Sequence, residues 1–203
     1  MANESRASPL HSMWSANFGY RGTVLHSTRK PLRLWFRAMW HITDQKYGAN
    51  ALGLQRALNL GSYHTAWQWL QKLRRAMVRP GRDKLSGLVE VDETYVGGKK
   101  PGKRGRGAEG KALVGIAVED KGEDGIGRIR LRHLEDASSA SLTPFDKGVV
   151  RQGSTIRTDD WLGYNGLTEN DFRHVVIQSK DLKLAHLIAA LMKRWLLGTY
   201  QGA

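Results

Sequence analysis

The chain has no cysteine among its 203 residues, which excludes disulfides and any thiolate zinc site, so no zinc is expected. Proline is scarce, at five residues, and two of them, Pro80 and Pro144, fall where helical patterns break. No run approaches the roughly 18 apolar residues needed to cross a bilayer. The opening MANESRASPLHSMW lacks the apolar core of a secretory signal, so the sequence reads as a cytoplasmic protein without a membrane partner. Acidic residues are outnumbered, 19 against 32 Lys and Arg, giving a net charge of +13 and a pI near 10.2. That excess favours polyanions through counterion release and long-range attraction, although a ribosomal or merely basic protein shares it. Seven tryptophans and a 40% hydrophobic share argue for packed cores rather than a disordered basic tail.

What is present is organised in three stretches. Residues 1–27 show no sustained periodicity and read as a poorly ordered lead-in. A helical stretch spans 28–82. Thr28 can cap a helix near Pro31, and Leu34, Trp35, Ala38, Met39 and Ile42 then recur at helical spacing. A second helix from about Asn50 to Leu58, a tight turn over Asn59–Ser62 and a third helix from Tyr63 to Met77 follow, stopped at Pro80 and Gly81. From residue 86 to 203 the period alternates instead. Strands are expected over GLVEVDETYVG, ALVGIAVED, IGRIRLRHL, STIRTDD and HVVIQS. A short helix broken at Pro144 and a closing helix LAHLIAALMKRWLLG complete an α/β domain with a mixed sheet. GGKKPGKRGRGAEGK reads as an exposed basic loop.

Two constellations can carry chemistry. The Asn50–Met77 stretch has the size and turn of a helix-turn-helix. Its last helix places Tyr63, His64, Gln68, Gln71, Lys72, Arg74 and Arg75 on outer faces, while Ala66, Trp67, Leu70 and Leu73 can pack. Polar and basic groups on such a helix reach phosphates and base edges in the major groove, but an ordinary hairpin with a solvated basic face fits equally. The second constellation is acidic. Asp92 lies mid-strand and Asp159 closes another strand. A buried strand carboxylate needs hydrogen bonds, an ion pair or a metal. Two of them together form a hard oxygen site for Mg²⁺ or Mn²⁺. Glu90 shares the Asp92 face, so that face can equally be solvated, and TDDW can also begin a helix.

VEVDETYVGGK, its Lys/Gly-rich loop and KALVGIAVE together resemble the first-aspartate strand of insertion-sequence transposases of the ISXO-like group, which have a ribonuclease H-like fold. STIRTDDWLGYNGL resembles their second-aspartate segment, and KRWLLGTYQG the stretch after their third catalytic residue. GTVLHSTRKPLRLWFRAMWHI and KYGANALGLQRAL resemble the helical region before their catalytic domain. The resemblance implies an α/β, ribonuclease H-like domain over 86–203, preceded by a helix-turn-helix-like DNA-binding region over 28–82. It implies a catalytic and metal-binding triad of Asp92, Asp159 and His186, with two Mg²⁺ or Mn²⁺ ions. Asp160 stands where the family usually has glycine, which leaves open which of the two aspartates faces the metal. His186 lies two helical turns before Lys193, where the family carries a Glu, Asn or His.

DNA contacts are expected from His64, Gln68, Lys72, Arg74, Arg75 and Lys193, and from the loop residues Lys99, Lys100, Lys103, Arg104 and Arg106. The implied partners are terminal inverted repeats and target DNA, bound by a homo-oligomer when active. Such transposases also commonly begin with a zinc ribbon and continue past the TYQG segment, so a copy shortened at both ends is expected. The implied function is metal-dependent DNA cleavage and strand transfer. The alternative is a catalytically inactive helix-turn-helix DNA-binding protein derived from a transposase.

Overall fold

The computed structural model describes Tyr20 and residues 22–79, 81–97 and 110–200. The chain divides into two compact units, Met1–Pro80 and Gly81–Ala203. None of its helices, among the described residues, is long and apolar enough to cross a membrane.

The first unit is helical. Helix α1 (Leu32–Asp44) starts after Pro31, whose fixed φ suits a helix entrance. Thr28 does not cap it: its hydroxyl accepts the indole N–H of Trp35 at 2.5 Å instead. Helix α2 (Ala51–Leu58) is capped by Asn50, whose side chain accepts the Gly53 N–H at 2.7 Å. It ends at Asn59, in the left-handed region at φ 50°, which asparagine tolerates. Leu60 then drops into the core and α3 (Tyr63–Met77) begins. Trp35 and Trp69 stack with ring centroids 3.8 Å apart at the centre of this core. Trp69, not Trp67, is the packed tryptophan of α3. The buried stripe runs Ala66, Trp69, Leu70, Leu73 and leaves Trp67 45% exposed.

The second unit is built on a five-stranded mixed sheet: β1 (Leu88–Val96), β2 (Ala112–Asp120), β3 (Ile126–Leu134), β4 (Thr155–Thr158) and β5 (Arg173–Val176). Their order across the sheet is β3-β2-β1-β4-β5. The first three strands are antiparallel, and β4 and β5 join parallel to β1. This is the ribonuclease H-like arrangement that the sequence leads one to expect. Helix α4 (Ser139–Val149) covers one face and α5 (Lys183–Tyr200) the other. The expected break at Pro144 does not occur, because α4 runs through it without interruption.

Alternation along the strands divides the two faces. Val89, Val91 and Ala117 meet Leu142, Phe145 and Tyr164 on the α4 side. Ile116 and Val118 meet Leu182, Ala185 and Ile188 on the α5 side. Gly115 is required where β2 passes α4, since a Cβ there would lie 2.9 Å from Leu134 and 3.0 Å from Phe145.

The entry to the sheet is stitched down by charge and backbone. Glu119, buried at the β2 irregularity, accepts the Ser86 and Arg128 N–H groups and a forked contact from the Arg128 guanidinium, the shortest at 2.6 Å. Those bonds hold its carboxyl down at about 2. Leu85 exchanges backbone bonds with Val149 and Arg151, both at 2.8 Å.

One buried acid has no such partner. Asp146 of α4 is fully buried, and neither carboxylate oxygen has a hydrogen bond. Burial, then the charge of Glu93, pushes its carboxyl up to about 8. The folded chain therefore keeps a proton that the unfolded chain, with its carboxyl near 3.8, has released. Stability falls as pH rises from about 4 to about 8 on this account. Asp146→Asn removes that slope, so urea midpoints across this range should show the variant gaining on the parent as pH rises, by at least ~1 kcal/mol at the upper end. Parallel pH profiles for the two proteins would exclude the buried proton.

Candidate functional site

The site begins with Asp92, in the middle of the central strand. Its neighbours on the same strand face, Glu90 and Thr94, point with it toward α5. That polar face is covered by α5, which buries Glu90 and leaves Asp92 and Thr94 partly buried. Glu90 is only 3% exposed and the Asp92 side chain 13%.

Three groups act on Asp92. Its Oδ1 accepts the Glu93 backbone N–H at 2.8 Å. Its Oδ2 lies 3.3 Å from Nε2 of His186, which α5 presents from its first turns. Burial raises its carboxyl to about 6, opposed by the Glu93 N–H, and the negative charges of Glu93 and Asp159 add to the rise while His186 works against it.

Asp159 follows directly after β4. The parallel register pairs Leu88 with Thr155 and Glu90 with Arg157, and continuing it sets Asp159 level with Asp92 on the same face. Asp159 is half-buried, whereas Asp160 is exposed, so Asp159 is the aspartate that faces Asp92.

The residues after it form the scaffold for that placement. The Asp159 carboxylate accepts the Trp161 N–H at 3.2 Å, and the Trp161 indole donates to the Ala137 carbonyl at 2.6 Å. Gly163 fits because a Cβ would meet that indole nitrogen at 2.6 Å and the Ala137 oxygen at 2.7 Å. Tyr164, buried, donates its hydroxyl to Glu93 Oε2 at 2.7 Å, across the strand from Asp92. Sequence reasoning placed Glu93 on the far face but missed Trp161 and Tyr164 as its supports and those of Asp159. The spacing of W-x-G-Y behind the aspartates was the available signal.

Two hard carboxylates and one imidazole, with surplus negative charge between them, are a donor set that suits Mg²⁺ or Mn²⁺. Among the described residues, no group of three His, Asp or Glu side chains stands close enough to enclose an ion as they are.

Of the expected DNA-contacting residues, His64, Gln68, Lys72 and Arg75 lie exposed on α3. Arg74 is half-buried instead, and its guanidinium donates to the Ala49 carbonyl at 2.7 Å within the helical core. Lys193 is exposed on α5, with its ammonium on the Thr94 hydroxyl at 2.7 Å. Lys99, Lys100, Lys103, Arg104 and Arg106 lie outside the described residues.

The strand order, with Asp92 on the central strand and Asp159 just beyond the parallel strand beside it, defines the ribonuclease H-like class of folds. Within it, the chain belongs to the family of ISXO2-like transposase domains, whose model matches residues 84–203. No curated protein matches the chain. Among solved structures it is similar to a chain of the simian T-cell lymphotropic virus intasome in complex with the PP2A regulatory subunit B56 gamma. The two are 15% identical, with a TM-score of 0.34, covering 75% of this chain and 55% of the other. It is also similar to the Mos1 transposase in a paired-end complex with the left transposon end, at 12% identity and a TM-score of 0.34, covering 100% of this chain and 77% of that one. A Mos1 strand transfer complex gives 12% and 0.33, covering 94% and 75%.

The tight seat of Gly163 predicts that Gly163→Ala displaces the Trp161 indole and costs about 2–3 kcal/mol in urea unfolding. A loss below about 0.5 kcal/mol would show that the turn behind Asp159 is not packed as described.

Proposed function

We propose that this chain is a DDE-type transposase that binds the ends of an insertion sequence and cuts and joins DNA there. The observation that supports the reading is the Asp92–His186 contact at 3.3 Å, with the β1–β4 register setting Asp159 level with Asp92, in a member of a transposase family. In this reading Asp92, Asp159 and His186 hold Mg²⁺ or Mn²⁺, which when bound supplies charge stabilisation to the attacking and leaving oxygens of a phosphodiester. The chain's own part is to place those ligands. Asp92 is fixed by the Glu93 N–H, Asp159 by the turn that Trp161 anchors, and His186 by the seating of α5 on the sheet.

DNA binding is assigned to other groups. Residues 28–82 act as a helix-turn-helix-like region, in which His64, Gln68, Lys72 and Arg75 of α3 face the DNA and Arg74 steadies the helix. Lys193 and the loop residues Lys99, Lys100, Lys103, Arg104 and Arg106 grip phosphates near the site, consistent with a net charge of +13. Residues 86–203 form the catalytic domain. The partners in this reading are terminal inverted repeats and target DNA, engaged by a homo-oligomer working in the cytoplasm.

The division of labour is testable. Asp92→Asn removes a negative charge, so binding to a duplex carrying the element's terminal repeat should stay within about twofold in a gel shift. Joining of a pre-nicked end with Mn²⁺ should fall at least about 100-fold, and His186→Ala should lose it likewise. Joining by Asp92→Asn at the parent rate would sink the catalytic assignment. A parent chain that binds the repeat but never joins it would leave a transposase-derived DNA-binding protein instead.

A further inference from the structure

Helix α5 brings His186 to Asp92, yet its own sequence does not finish its N-terminus. The residue before it, Leu182, is apolar and fully buried, and its first turn carries no acidic residue. A helix start leaves backbone N–H groups without intrahelical acceptors, and they carry the positive end of the helix dipole. Glu90 meets that need from the strand. Its Oε2 accepts the Leu184 N–H at 2.9 Å and the Ala185 N–H at 3.0 Å, at 3% exposure. A carboxylate from β1 thus does what a capping side chain would otherwise do.

The consequence is register. Three successive α5-facing residues of β1 each hold the helix: Glu90 at Leu184 and Ala185, Asp92 at His186, and Thr94 at Lys193. Strand and helix match in length here. Four strand residues from Glu90 to Thr94 advance about 13 Å, and eight helix residues from Ala185 to Lys193 about 12 Å. His186 follows immediately after the capped amides, so the Glu90 bond fixes where along the strand its ring arrives.

We propose that Glu90 is a positioning residue of the site, holding the start of α5 so that the His186 imidazole meets the Asp92 carboxylate. Its consequence for catalysis rests on the transposase reading; its structural content does not. Glu90→Gln keeps an oxygen that can accept both N–H groups, whereas Glu90→Leu keeps the bulk and loses the acceptor.

The test uses nitrogen-15 spectra of the histidine rings in the metal-free full chain, with His186→Ala identifying the His186 signals. Asp92→Ala then defines their position when the Asp92 contact is lost. Glu90→Gln should keep the His186 signals at the parent position, and Glu90→Leu should move them toward those of Asp92→Ala. With Mn²⁺ and a pre-nicked DNA end, joining should stay within about fivefold for Glu90→Gln and fall at least about 50-fold for Glu90→Leu. Amide exchange in the unaltered chain needs no variant to fold: the Leu184 and Ala185 N–H groups should be protected despite lying in a first turn.

A folded Glu90→Leu with parent His186 signals overturns the proposal. So does Glu90→Gln behaving like Glu90→Leu, or unprotected amides at Leu184 and Ala185. The ring and amide readouts involve neither DNA nor metal, so they decide the proposal even if the parent chain joins no DNA, a result that counts against the proposed function alone.

Discussion

The covering of the polar face of β1 by α5 is the constraint on which the rest of the second unit depends. A strand face carrying Glu90, Asp92 and Thr94 is expensive to bury, and each of the three is given a partner on the covering helix. Two are met by hydrogen bonds from neutral or cationic donors. Asp92 has a bond from the Glu93 N–H and a histidine beside it, and its carboxyl still sits at about 6. Burial is the largest cause of that rise, so of the three residues of this face Asp92 is the one whose carboxyl the fold holds well above its usual range.

The opposite face of the same strand is organised differently. There Glu93 takes the Tyr164 hydroxyl, and the nearby charge that it keeps is one reason Asp146 remains protonated. Acidic groups thus press on β1 from both sides of the sheet. Holding the Asp92 and Asp146 carboxyls above their usual range sacrifices stability near neutral pH. That is the pattern expected where side chains are kept for chemistry rather than for packing.

Much of this was legible in the sequence. Alternation located β1, β2 and β3 because each is long and changes period sharply from the helices around it, and the turn residues Asn59–Ser62 marked the bend between α2 and α3. Resemblance supplied Asp92, Asp159 and His186, which no periodicity would join, since they come from distant parts of the chain. What stayed hidden was mostly what covers what. Alternation shows that Glu90 and Asp92 share a face but not that a helix lies on it. An aspartate in a helix reads as solvent-facing, so Asp146 gave no sign of burial. Trp67 and Trp69 are two residues apart on one helix, and only the packing of Trp35 against Trp69 decides between them. Pro144 read as a break because local rules weigh the lost N–H, whereas Leu142, Phe145 and Val149 hold the helix on the sheet across it.

The stitched entry to the sheet has a mechanical consequence. Asp83 and Lys84 offer carbonyls to Arg130 and Arg128, Leu85 is bridged to the end of α4, and Ser86 is held by Glu119. Tension arriving along the backbone before Asp83 is therefore taken up across β2, β3 and α4 over four residues. It is spent in shear across several bonds before it reaches Leu88. The strand that carries Asp92 is insulated from whatever pulls on the chain upstream.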